Sequence, residues 1–197
     1  MRRGLISVID ADCIEKTLDK LLPKFPEGTF NTFELGTCDG HTSCGIHEYF
    51  IERGRENFHT GIDSQRDKNI QPPFPECNFI IGDTIQCHTK LEDDSQHFGF
   101  IDANHSLFYT TADFLLYRTK VKVGGYIGFH DTAPHIKKFF DYQHTGARDN
   151  PYNYISCREA LSLLGLLTNR FPGWKLIFDE CDPVDTAGGV CIFERIF

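Results

Sequence analysis

The sequence has no C-x-x-C pair, no extended basic tract and no apolar run long enough to cross a bilayer. Without cysteines at ligand spacing, a structural zinc knuckle is not expected. A net charge of −8 with no basic patch argues against a nucleic-acid partner, which needs phosphate neutralisation. The missing apolar span argues against a membrane partner. The opening run from Met1 to Asp10 is too short in apolar residues to read as a signal peptide, so the expected compartment is the cytoplasm. No internal repeat, low-complexity segment or dividing linker interrupts the chain, so a single domain over residues 1–197 is the economical count. The eight cysteines fall mostly inside expected strands and helices and read as free, reduced thiols that pack as small core residues.

What is present begins with two short apolar runs that each end in an aspartate, Phe98–Asp102 and Gly125–Asp131, bracketing a helix expected over Leu107 to Val121. Strand, helix and strand in that length form a βαβ crossover, so the strands should be parallel and end on one edge. Asp102 and Asp131 should then converge at the carboxyl edge, where open α/β sheets bind ligands. Two carboxylates brought together need a cation or polar ligand to compensate them.

The rest of the chain extends this pattern. Asp12-x-x-Glu15 fits a capping box for a helix carrying Ile14, Leu18, Leu21 and Leu22, ended by Pro23 and Pro26. Strands are expected over Thr29–Leu35, His59–Ile62 and Asn78–Ile81, with a helix over Thr42–Glu52 and a polar, proline-bearing loop over Ser64–Glu76. A helix is expected from Pro134 to Tyr142. A loop over Gln143–Tyr154 follows, read either as a lid over a ring or sugar acceptor or as a solvated connection. Ser156-x-x-Glu159 reads as a second capping box, opening a Leu-rich helix to about Arg170. Trp174–Phe178 and Val190–Ile196 close the chain as a strand pair. The fold class is therefore α/β, a doubly wound, mostly parallel sheet with an antiparallel C-terminal hairpin. Acids follow each of the first five strands: Asp39, Asp63, Asp83, Asp102 and Asp131.

The first βα turn reads Glu34-Leu35-Gly36-Thr37-Cys38-Asp39-Gly40. Its glycines allow close passage of backbone beside a ligand, but G-x-G-x-x-G is absent, and Glu34 would oppose a pyrophosphate. Glu34 instead suits a cationic ligand or amino group. Asp63 stands where an acid after the second strand grips ribose hydroxyls. Asp83 reads either as a ligand-side residue or as a helix cap.

Together these residues resemble the class I S-adenosylmethionine-dependent methyltransferases. The resemblance runs from about Phe30 to Thr132, and the last two strands resemble the family's closing hairpin. Glu34-x-Gly36-x-x-x-Gly40 is similar to its glycine-rich motif, Gly61-Ile62-Asp63 to its ribose-binding acid, and Gly82-Asp83 to the turn beside the adenine. Ile101-Asp102-Ala103-Asn104-His105-Ser106, then Asp113 and Gly124–Thr132, resemble the small-molecule O-methyltransferase branch, which includes sugar- and antibiotic-tailoring and catechol-type enzymes. Ala103-Asn104 and Leu107 depart from that branch's glycine-acid pair and aromatic. The resemblance implies a seven-stranded Rossmann-like sheet. It implies S-adenosylmethionine held by Glu34, Gly36, Thr37, Gly40, Asp63, Asp83 and Asp102, and a small hydroxylated acceptor.

It further implies Mg²⁺ or another divalent cation at Asp102, His130 and Asp131, and His105 with Asp102 as the catalytic pair. A metal-bound hydroxyl loses its proton more readily, and His105 titrates where a general base should. A histidine at position 130 would favour a transition metal or be no ligand at all. His105 reads equally as a structural histidine. Asp131 reads also as a helix cap, and Asp102 as a direct contact to cofactor or substrate. His135 and His144 read as surface residues. A nicotinamide-dependent oxidoreductase, a methyltransferase-fold binding protein without turnover, and a homo-oligomer stay open.

Overall fold

The computed structural model describes residues 6–64, 72–134, 156–182 and 188–197. The expected helix over 134–142, beyond its first residue, and the loop over 143–154 lie outside the described residues, as does part of the 64–76 loop.

The chain builds a seven-stranded sheet from β1 (Phe30–Leu35), β2 (Asn57–Asp63), β3 (Asn78–Ile81), β4 (Gln96–Ile101), β5 (Val121–Phe129), β6 (Trp174–Glu180) and β7 (Val190–Arg195). The spatial order is β3-β2-β1-β4-β5-β7-β6. The first five strands pair in parallel, and β7 lies antiparallel to both β5 and β6. This is the mostly parallel sheet with a C-terminal hairpin that the sequence pattern predicts. The helices are α1 (Val8–Leu21), α2 (His41–Glu52), α3 (Thr84–Cys87), α4 (Leu107–Tyr117) and α5 (Cys157–Leu163).

Central strands are apolar on both faces because each face is covered. Alternate residues feed two cores. Phe30, Phe98, Phe100, Tyr126 and Ile192 pack with Ile14, Leu18 and Leu21 of α1 and Ile46, Tyr49 and Phe50 of α2. Phe33, Leu35, Ile127, Phe129 and Phe193 pack with Phe114 and Tyr117 of α4 and Leu161 of α5 on the other side. All eight cysteines are free thiols. Among the described residues no helix is long and apolar enough to cross a membrane.

Three element ends differ from expectation. The first helix opens earlier: Ser7, not Asp12, is its N-cap, in a reciprocal box with Asp10. The fourth helix stops at Tyr117, and β5 already begins at Val121, because Lys120 N–H closes onto Tyr117 O and the β-branched Val121 and Val123 favour extended backbone. The fifth helix ends at Leu163, not Arg170. Gly165, in the left-handed region, lets its N–H reach Ser162 O while Leu166 N–H reaches Leu161 O, the paired closure of a glycine-terminated helix. Ser156 makes no side-chain cap; its N–H donates instead to His105 O at 2.7 Å.

Candidate functional site

Strand order reverses between β1 and β4, and crevices form at the carboxyl end of such a switch point. Leu35 is registered with Ile101, so the turn after β1 and the turn after β4 lie side by side. Gly36 has φ +81°, and a Cβ there would come within 2.2 Å of Asp102 O. Only glycine permits this approach. Asp102 N–H donates to Leu35 O at 2.9 Å, and His130 N–H donates to Ile101 O at 3.1 Å, which brings the turn after β5 alongside.

The side chains of these turns meet. Asp102 Oδ1 lies 3.1 Å from His105 Nε2 and 3.1 Å from His130 Nδ1. Asp131 Oδ2 lies 3.5 Å from His105 Nε2. Asp131 adopts φ +53°, which an aspartate tolerates, and its Oδ1 accepts from Gly188 N–H at 2.9 Å. The sequence expectation that residues 102 and 131 converge therefore corresponds to a real juxtaposition.

The donor set, however, differs from the one expected. Donor atoms of Asp102, His105 and Asp131 all lie within 4.8 Å of one another, and His130 is not in that group. Its Nδ1 is taken by Asp102, and its Nε2 points inward to Asp10 Oδ2 at 3.2 Å. Burial works to lower the His130 pKa, but the charge of Asp102 and hydrogen bonds to Asp10 and Asp102 carry it well above the ordinary value. The grouped donors are thus Asp102, His105 and Asp131, and both ring nitrogens of His130 instead face carboxylates, those of Asp102 and Asp10. Burial likewise opposes ionisation of Asp102, yet the His130 charge and bonds to both histidines bring it well below the usual carboxylate range.

The cluster also takes in Asp10, which no sequence motif assigns to a site. It sits in the first turn of α1 and is fully buried; Ser7 N–H donates to its Oδ2 at 3.1 Å. Burial raises its pKa, but bonds and charge from His130 and bonds from Ser7 outweigh that and leave it lowered. Three carboxylates thus face two imidazoles, and the cluster stays negative whichever way His105 is protonated. Such a cluster suits a divalent cation at Asp102, His105 and Asp131.

On the β1 side, Asp63 Oδ2 accepts from Cys38 N–H at 2.9 Å, so the acid after β2 grips the glycine turn. Thr37 Oγ1 is buried with no hydrogen-bond partner among the described residues, an atom that a polar group of a bound ligand would satisfy. Glu34, expected to suit a cationic ligand or amino group, stands at the end of β1 next to Leu35. It is buried, accepts from Ser43 Oγ, and burial drives its pKa well above normal, with the charges of Asp102 and Asp63 adding to the rise. Asp83 lies apart from the Asp102 cluster: it caps α3 through Ile85 N–H at 2.9 Å and accepts from Tyr109 Oη at 2.7 Å.

The sequence profile of a family described as "Methyltransferase domain" matches residues 33–132, which run from β1 through the turn after β5. The chain belongs to this methyltransferase family. No curated protein sequence matches it. Among solved structures it is similar to a Corynebacterium glutamicum protein (13% identity, TM-score 0.59, 98% of this chain and 84% of that one). It is also similar to a SAM-dependent methyltransferase from Archaeoglobus fulgidus (16%, TM-score 0.53, 94% of each chain). A third is an O-methyltransferase from Bacillus cereus in complex with SAH (14%, TM-score 0.55, 84% and 74%). At these identities the likeness is one of fold. In this methyltransferase the matched segment supplies Glu34, Asp63, Asp102, His105, His130 and Asp131, whereas Asp10 and Gly188 come from outside it. Asp10 carries a local signal only as the acid of a Ser-x-x-Asp box; nothing in that pattern points to a partner 120 residues away.

Proposed function

We propose that this methyltransferase moves a methyl group from S-adenosylmethionine to a hydroxyl of a small molecule, assisted by a divalent cation at Asp102, His105 and Asp131. The observation that carries the reading is the meeting of these three side chains beside the Gly36 turn. Methyl transfer breaks a sulfonium S–C bond, forms a C–O bond, and requires the acceptor's proton to leave. S-adenosylmethionine supplies the activated methyl, and a bound cation would lower the pKa of the acceptor hydroxyl and orient its oxygen.

The protein's own residues serve the remaining needs. The Gly36–Gly40 turn, Thr37 and Asp63 form the donor-side wall. Asp102 and Asp131 offer hard oxygen ligands, as Mg²⁺ prefers, and His105 adds a nitrogen that widens the choice towards transition metals. His105 serves as general base only where it is not a ligand, since one nitrogen cannot hold both a cation and the acceptor's proton. The 33–132 match supports methyl transfer over nicotinamide chemistry.

The test is methyl transfer from labelled S-adenosylmethionine across a panel of sugars, catechols and other small hydroxylated acceptors, with and without chelator. Turnover should vanish in chelator and return with Mg²⁺ or Mn²⁺. Asp102→Ala should lower it by more than about 100-fold, beyond the usual effect of an outer partner. Full activity in chelator overturns the cation, and S-adenosylmethionine binding without turnover on any acceptor leaves a binding protein.

A further inference from the structure

The first helix lies outside the family match yet delivers a buried acid to the site. A capping-box acid needs only to accept from the N-cap N–H, and that task does not require burial. Asp10 does accept from Ser7 N–H, but it is fully buried, and its Oδ1 has no hydrogen-bond partner among the described residues. Capping does not account for that burial, since an isolated buried carboxylate is costly. The contact with His130 does. Both ring nitrogens of His130 are bound, one by Asp10 and one by Asp102, so the imidazole plane is fixed from both ends. The same Asp102 oxygen that receives His130 also receives His105.

We infer that Asp10 is a positioning residue of this methyltransferase: through His130 it sets the orientation of the Asp102 carboxylate, so the site is complete only when α1 is docked. The inference rests on the proposed role of Asp102, His105 and Asp131 and adds a residue to that machinery. Loss of Asp10 would leave His130 Nε2 without its carboxylate and allow the ring to turn, loosening Asp102.

The experiment uses the full chain and three variants: Asp10→Ala, Asp10→Asn and Ser7→Ala. Ser7→Ala removes the hydroxyl that accepts from Asp10 N–H, at 3.1 Å, without touching His130, and so reports helix capping alone. Three quantities are read: Mn²⁺ affinity by calorimetry, kcat for methyl transfer, and the His130 Nε2 proton resonance by NMR. Asp10→Ala should lower Mn²⁺ affinity and kcat by up to about tenfold, the low end of the range for direct partners of metal ligands, because Asp10 acts one contact further out, through His130. Its His130 resonance should broaden or vanish. Asp10→Asn keeps an acceptor oxygen, so it should recover most of the affinity while shifting the resonance. Ser7→Ala should lower the melting temperature and leave all three readings as in the wild type.

Wild-type affinity, kcat and resonance in Asp10→Ala overturn the inference, as does equal damage from Ser7→Ala. If Asp10→Ala does not fold, an unmoved resonance in Asp10→Asn overturns it. If the wild type binds no Mn²⁺, the cation reading fails separately, and the His130 resonance with kcat still decides the role of Asp10.

Discussion

Asp10 and Asp113 are both fully buried aspartates, and each has one carboxyl oxygen without a hydrogen-bond partner. Their pKa values nevertheless move in opposite directions. Asp10 is held ionised because His130 offers it a charged imidazole. Asp113, on α4, receives only the Thr84 hydroxyl at 2.7 Å and faces the charge of Asp83; burial pushes its pKa up to about 7. Burial alone therefore does not decide whether an acid in this protein carries charge. The partners decide, and the His130 cluster with Asp10 and Asp102 lies where the turns after β4 and β5 meet.

The comparison is broken most severely by removing that partner. In His130→Ala, Asp10 and Asp102 would share a buried space with no cation between them. Deleting one member of a buried charged group typically costs about 3–5 kcal/mol. We expect a loss of that size in urea unfolding at pH 7, with much of it regained at acid pH as the stranded carboxylates take up protons. Unchanged stability at pH 7 would mean that His130 does not carry the charge assigned to it.

Asp113 sharpens the other half. In the fold its pKa is about 7, above the ordinary aspartate value of 3.8 that holds in the unfolded chain, so between those values the native state keeps a proton that the unfolded chain has released. Rising pH then favours unfolding, by at most about 1.4 kcal/mol per pH unit across that window. Asp113→Asn cannot ionise. Its stability relative to wild type should therefore increase from pH 5 to pH 7 by about 2 kcal/mol and level off above the folded value. Parallel pH profiles for the two proteins would show that Asp113 is ionised in the fold and that its pKa is not raised.

Much of this architecture was legible in the sequence. Short apolar runs followed by acids marked the first five strands and the edge on which Asp63, Asp102 and Asp131 emerge, because packing against two cores leaves little freedom in the strands. Helix ends were less legible. Ser7-x-x-Asp10 and Asp12-x-x-Glu15 fit the same capping pattern, and a local pattern does not say which one docks. Gly165, inside an apolar leucine run, was outvoted by its neighbours although it ends the helix. The role of His130 was illegible for a stronger reason. Its preference between metal and carboxylate depends on Asp10, which tertiary folding brings across the sheet.

Asp63 offers the mildest test, because the turn it grips is also held from other sides. Its Oδ2 accepts from the N–H of Cys38, a non-glycine residue at φ +45°, so the acid helps to hold the turn in a conformation that L-residues seldom adopt. It is also the acid proposed to grip the ribose of the methyl donor. The two tasks have different signatures. If Asp63 only shapes the turn, Asp63→Asn, which keeps an acceptor oxygen, should bind S-adenosylhomocysteine as the wild type does, and Asp63→Ala alone should weaken it. If Asp63 also binds ribose, a neutral amide is a poorer acceptor for two hydroxyls, and both variants should lose affinity, Asp63→Ala by about tenfold, or about 1.4 kcal/mol. Calorimetric titration distinguishes these outcomes, and unchanged affinity in Asp63→Ala removes Asp63 from the donor site while leaving the Asp10–His130–Asp102 cluster intact.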